Sequence, residues 1–176
     1  MRSLLLQALL RGCAVLRRPE YDPIMLDEAA RALAVSGRKR LGRSLAIREI
    51  DAGSCNGCEL EINALNNPVY DIERFGLKFV ASPRHADILL VTGPVTWNMR
   101  EAVKRAYNAT PEPKWVVAAG DCAINCGVFA GSAACVGPVS SVIPVDLHVP
   151  GCPPAPIKLL QALLALVDGR EAVCEN

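Results

Sequence analysis

Apolar and polar positions change their period along the chain, and each change marks an element. Residues 3–16 carry leucines and alanines on one side, with arginines at 2, 11, 17 and 18. That pattern predicts a short amphipathic helix, packed on a neighbour or lying at a membrane surface, and we read it as partner-facing or interfacial. After Pro19 and Pro23, Leu26, Ala29, Ala30 and Leu33 recur at helical spacing. The run SGRKRLGRS (36–44) is polar and basic and predicts a solvated linker. From Leu45 the pattern becomes that of a packed core. LAIREI (45–50) reads as a strand, and CELEINALNN as the start of a helix, because Cys58, Ile62 and Leu65 recur at three- and four-residue steps. LKFVAS (77–82) is a predicted strand, and so is DILLVTG (87–93), a nearly unbroken apolar run of the kind buried on both faces. MREAVKRAYNA (99–109) reads as a helix and KWVVAAG (114–120) as another buried strand. VIPVDLHV (142–149) is a weaker strand that Pro144 assigns to a sheet edge. PIKLLQALLALVDG closes the pattern with a helix, which has Pro153, Pro154 and Pro156 at its start and Gly169 at its stop.

Strands alternating with helices predict an α/β domain with a mostly parallel sheet. The length of 176 residues is about one domain's worth. The expected division is residues 1–44, a helical extension with its basic linker, and residues 45–176, the α/β domain.

Composition narrows the function classes. Hydrophobic residues make up 51% and charged residues 21%, as in a packed globular chain. A formal net charge of +1 and 5% aromatic residues give no footing for nucleic acid as a partner. The mean hydropathy is positive, which points to a large buried fraction or to surface covered by other subunits. LLLQALL and LLQALLALV are the longest apolar candidates, well short of the roughly 18 residues a membrane span needs. The N-terminus does not read as a secretory signal, because Arg11 interrupts its apolar stretch and no small-residue cleavage site follows. Arg17–Arg18 runs into PEYDP, which makes a poor twin-arginine signal. The chain reads as cytoplasmic.

Eight cysteines are many for this length. Without an export signal they point to metal or redox use rather than a disulfide framework. Cys55 and Cys58 in GSCNGCELEI have a spacing shared by redox dithiols, zinc sites and iron–sulfur sites. They follow the strand 45–50, Cys122 follows the strand 114–119, and Cys152 follows the strand 142–149, giving C-x2-C-x63-C-x29-C. Strand carboxyl ends are where ligands sit in an open α/β sheet, so cysteines far apart in sequence can converge there. Glycines at 53, 57, 120, 127 and 151 flank these positions and offer close backbone N–H groups, which a 4Fe–4S cluster with four thiolates uses. Cys13 and Cys174 read as ordinary terminal residues, and Cys135 as a small buried hydrophobe. Cys126 lies four residues after Cys122 and leaves open a zinc-stabilised interaction module built on Cys55, Cys58, Cys122 and Cys126. A thioredoxin-like dithiol would leave Cys122 and Cys152 unexplained.

The segments SCNGCELEI, SPRHADILLVTGPVT, GDCAINCGVF and VGPVSSVIPVDLHVPGCPP resemble the small cluster-carrying subunit of complex I-related, membrane-bound nickel–iron hydrogenases of the formate hydrogenlyase type. That subunit has a counterpart in NADH:quinone oxidoreductase. The resemblance covers about residues 45–167. It implies a flavodoxin-like sheet with helices on both faces, and one 4Fe–4S cluster held by Cys55, Cys58, Cys122 and Cys152. It also implies the cytoplasmic side of the cell membrane. The expected partners are a large subunit with a nickel–iron or quinone site, a ferredoxin-like iron–sulfur subunit and membrane-embedded subunits. The implied role is one-electron transfer within an oxidoreductase complex, with no bond-making chemistry in this chain. The first two cysteines are adjacent in the quinone-reducing branch and separated by two residues in the hydrogenase branch, as here. Cys126 stands where relatives commonly have glycine or another small residue. The resemblance places Glu59 and Glu61 near the large-subunit contact as possible proton-relay residues. Carboxylates stabilising a helix N-terminus are the other reading of the same pair.

Overall fold

The computed structural model describes residues 23–168. The expected helix at 3–16, Cys13, Cys174 and the Gly169 stop lie outside them.

The chain enters through helix α1 (Pro23–Leu41) and alternates through β1 (Ala46–Asp51), α2 (Gly57–Ala64), β2 (Lys78–Phe79), β3 (Ile88–Thr92) and β4 (Val95–Thr96). It continues with α3 (Arg100–Ala109), β5 (Trp115–Ala119), α4 (Asp121–Asn125), β6 (Cys135–Gly137), β7 (Leu147–Val149) and α5 (Pro156–Asp168). The main sheet has five strands in the order β2-β1-β3-β5-β7. Each neighbouring pair is parallel, with Ile47 opposite Ile88, Leu90 opposite Val117, and Ala118 opposite His148. Counted among themselves, the strands run 2-1-3-4-5, the order of flavodoxin, in which the sheet reverses its winding between the first and third strands.

Period-two alternation distributes the strand residues between two cores. Ile47, Ile88, Leu90, Val117 and Ala119 face one side with Ala30, Leu33, Ile62, Leu65, Leu159 and Leu163 of the helical layer. Ile50, Leu89, Val91, Val116 and Ala118 face the other, with Val103, Ala123, Val139 and Ile143. Helices therefore cover both faces, as expected, and β3 is buried at every position.

The structure corrects the basic linker. Residues 36–41 continue α1, which packs on α5. Ala30, Leu33 and Gly37 are buried at helical spacing, so the inward stripe runs on through the glycine while Arg38 and Lys39 stay exposed. Tertiary packing outweighs the low helix propensity of Ser-Gly. Gly42, at φ 68, ends the helix and donates its N–H to the Arg38 carbonyl at 2.9 Å. Two predicted strands are shorter than expected: LKFVAS forms only Lys78–Phe79, and VIPVDLHV only Leu147–Val149, at the sheet edge. The small antiparallel pair β4–β6 has no counterpart in the sequence pattern, because two- and three-residue strands are too short for alternation to register. Among the described residues no helix is long and apolar enough to cross a membrane.

Candidate iron–sulfur site

Cys55, Cys58, Cys122 and Cys152 follow the carboxyl ends of β1, β5 and β7, Cys58 in the first turn of α2 and Cys122 in the first turn of α4. All four are free thiols, with Cys55 and Cys152 exposed, Cys58 half-buried and Cys122 buried. The group is thus open on one side.

The first loop is shaped by Asp51, whose Oδ1 accepts from the N–H groups of Gly53 at 2.8 Å and Ser54 at 2.7 Å. Ser54 Oγ then accepts from Asn56 at 3.1 Å. Gly53 has no room for a side chain, since a Cβ there would lie 2.3 Å from Thr96 Cγ2 at a φ of 133.

Gly120 shows most directly that the loops converge. A Cβ at that position would stand 2.6 Å from Cys58 Sγ. The Cys58 sulfur therefore rests against the backbone that leads into Cys122. Gly127 plays the same part for the neighbouring thiol, where a Cβ would meet Cys122 Sγ at 2.9 Å. The Val128 N–H donates to the Cys122 sulfur. The third loop joins the second through backbone: the Gly120 N–H reaches the Val149 carbonyl at 2.8 Å, and the Asp121 N–H the Gly151 carbonyl at 2.9 Å.

Electrostatics group the same residues. Burial, then Glu59, then Cys122, Cys55 and Cys152 push the Cys58 thiol up to about 12 from its ordinary 9.0. Cys122 is also raised, by burial first and by Cys152, Cys55 and Asp121, against the lowering effect of the Val128 N–H. A metal bound here must displace those protons, so the site favours the thiolate form only when cationic charge is present. Cys126 falls outside this set. It sits in a left-handed turn at φ 70, and burial and then Cys135 raise its thiol. Cys135 is half-buried in β6, not a fully buried core residue. Among the described residues, no three His, Cys, Asp or Glu side chains are grouped so that they could hold a metal ion.

Glu59 and Glu61 separate. Glu61 is half-buried, whereas Glu59 is only 7% exposed and neither of its carboxylate oxygens has a hydrogen-bond partner. Glu49 of β1 is a further acidic residue here. Its carboxyl is raised by burial, then by Glu59 and Asp51, with Arg48 opposing. A charged residue inside a strand bounded by buried Ile47 and Ile50 was the sequence signal for it. Leu60, Trp97 and Val128 are large exposed apolar residues.

Comparison with known proteins bears on this arrangement. The family model described as "NADH ubiquinone oxidoreductase, 20 Kd subunit" matches residues 55–166, from the first of the four cysteines into the last helix. The chain belongs to this family. It is 50% identical over 130 residues to a probable membrane-bound hydrogenase subunit of Pyrococcus furiosus, covering 74% of this chain and 78% of the relative. It is 44% identical over 138 residues to formate hydrogenlyase subunit 7 of Escherichia coli, covering 78% of this chain and 54% of that longer protein. A subunit of the NADH-quinone oxidoreductase of Heliobacterium modesticaldum is 47% identical over 110 residues, or 62% of this chain and 63% of the relative. Among solved structures, a chain of the archaeal membrane-bound sulfane sulfur reductase aligns with a TM-score of 0.63 and 30% identity over 86% of this chain and 79% of its own. A chain of an NAD+-reducing [NiFe]-hydrogenase shares the fold at a TM-score of 0.58, with 23% identity over 73% of this chain and 94% of its own. The named relatives are subunits of oxidoreductase complexes, and this chain is a subunit of that kind.

Proposed function

We propose that the chain is the electron-transfer subunit of a membrane-associated hydrogenase complex, holding one 4Fe–4S cluster on Cys55, Cys58, Cys122 and Cys152. The observation that carries this reading is the convergence of the Cys58 sulfur on the Gly120 backbone, which brings two sequence-distant cysteine loops together at the sheet's ligand-binding edge. No three of these side chains surround a single ion, but a 4Fe–4S cluster takes each thiolate on a different iron, and four free thiols, tight glycine backbone and an N–H directed at the Cys122 sulfur suit such a group. A bound cluster supplies one-electron transfer and no other chemistry. This chain's residues hold the thiolates apart, exclude solvent on the Cys122 side and leave the Cys55–Cys152 side open toward a partner. Glu59, buried and without hydrogen-bond partners, is the better placed of the two glutamates to hold a proton beside the site.

In this reading electrons pass to or from a nickel–iron centre in a large partner subunit, supplied by a ferredoxin-like subunit. Membrane-embedded subunits fix the assembly at the cytoplasmic side of the cell membrane. The relatives named as membrane-bound hydrogenase and formate hydrogenlyase subunits support it, as does the two-residue gap between Cys55 and Cys58. The second reading is the equivalent subunit of a quinone-reducing complex, favoured by the likeness to the NADH-quinone oxidoreductase relative. Purification from native membrane tests both. Co-purification with a large subunit containing nickel, together with iron in excess of the roughly four per copy that one cluster on this chain accounts for, is the expected result. Iron without nickel moves the assignment to the quinone branch. A colourless, zinc-containing, stable monomer overturns it.

A further inference from the structure

We propose that Asp121 is a positioning residue that locks the Cys122 loop to the Cys152 loop. The inference rests on the cluster reading above and adds a residue to it. Two hydrogen bonds run in opposite directions between one pair of residues. The Asp121 N–H donates to the Gly151 carbonyl at 2.9 Å, and the Gly151 N–H donates to Asp121 Oδ1 at 2.8 Å. Asp121 immediately precedes Cys122, and Gly151 immediately precedes Cys152. The bonded pair therefore sets the distance between two of the four thiols directly, through one covalent step on each side.

Neither end is free to compensate. Gly151 adopts φ 142, and a Cβ there would meet Pro154 Cα at 2.6 Å, so no side chain at Gly151 itself can replace the bond. Gly120, before Asp121, is equally confined, by Cys58 Sγ. A part-buried N–H whose acceptor is removed loses a charge-assisted bond.

Asparagine and alanine isolate the hydrogen bond. Asp121→Asn keeps an oxygen for the Gly151 N–H and removes the charge, whereas Asp121→Ala removes both. In the metal-free full chain, amide exchange at Gly151 is expected to rise roughly tenfold in Asp121→Ala and to return toward wild type in Asp121→Asn. In the cluster-loaded chain, iron loss to a chelator accelerates in Asp121→Ala and is rescued in Asp121→Asn. Unchanged Gly151 exchange and unchanged iron loss in Asp121→Ala overturn the positioning role. Where Asp121→Ala does not fold, the wild-type chain decides: Gly151 amide exchange as fast as that of an unbonded amide overturns the positioning role. Wild-type chain that assembles no cluster defeats the proposed function instead, while the Gly151 exchange still reports on the clamp.

Discussion

The two ends of the parallel sheet handle a buried carboxylate in opposite ways. At the amino end, Asp87 is 2% exposed and fully partnered. Arg43 donates to its two oxygens at 3.0 and 2.5 Å, and the Ala46 N–H adds a third bond at 2.9 Å. At the carboxyl end, Glu59 is almost as buried and has no hydrogen-bond partner for either oxygen. Its electrostatic neighbours are Glu49 and the Cys58 thiol, which it raises. A buried charge left unpaired costs stability, and a paired one costs less or nothing. One end is therefore arranged for cohesion, and the other accumulates negative and latent negative charge that only a bound cation or a proton relieves.

The contrast is open to attack, from the largest effect to the smallest. Cys152→Ser is expected to abolish cluster assembly and its electron paramagnetic resonance signal while leaving the metal-free fold intact; a retained signal refutes the ligand assignment. Asp87→Ala is expected to cost about 2 kcal/mol in chemical denaturation, because the buried Ala46 N–H loses its acceptor. Arg43 is half exposed and rehydrates, which keeps the loss from being larger. At the opposite end the sign reverses. Glu59→Gln should raise the denaturation midpoint of the metal-free chain near neutral pH, and a lowered midpoint there would erase the distinction between the two ends.

The pH dependence follows from Cys58. Its thiol is raised from 9.0 to about 12, so the stability tied to its protonated form is fully present below pH 9 and lost as pH rises through about 12. Unfolding of metal-free wild type across that window should show the loss, and Cys58→Ser should flatten it. Metal binding runs the other way, gaining affinity as pH rises because the thiols must be deprotonated. The smallest effect belongs to Cys126. With φ 70, Cys126→Gly should be neutral or stabilising by up to about 1 kcal/mol, with the resonance signal unchanged. Loss of signal in that variant would bring Cys126 into the site.

Much of this molecule was legible in the chain itself. Unbroken apolar runs at 87–93 and 114–120 announced strands buried on both faces, and β3 and β5 are those strands. The helical repeat of Cys58, Ile62 and Leu65 announced α2, and two cysteines after the first strand with one after each of two others placed four thiols at one sheet edge. Local pattern determined these features because strand and helix periods are properties of consecutive residues. The rest required the fold. Whether Ser36–Leu41 is linker or helix depended on Ala30, Leu33 and Gly37 finding a core to face, which no local composition records. Cys126 and Cys122 were equivalent by spacing. They part only because the Val128 N–H and Gly127 close on the Cys122 sulfur while the left-handed turn sets Cys126 beside Cys135. The separate fates of Asp87, Asp121 and Glu59, three acids of the same chemistry, depend on which N–H groups, cations or thiols other strands bring near, and sequence spacing does not encode those distances.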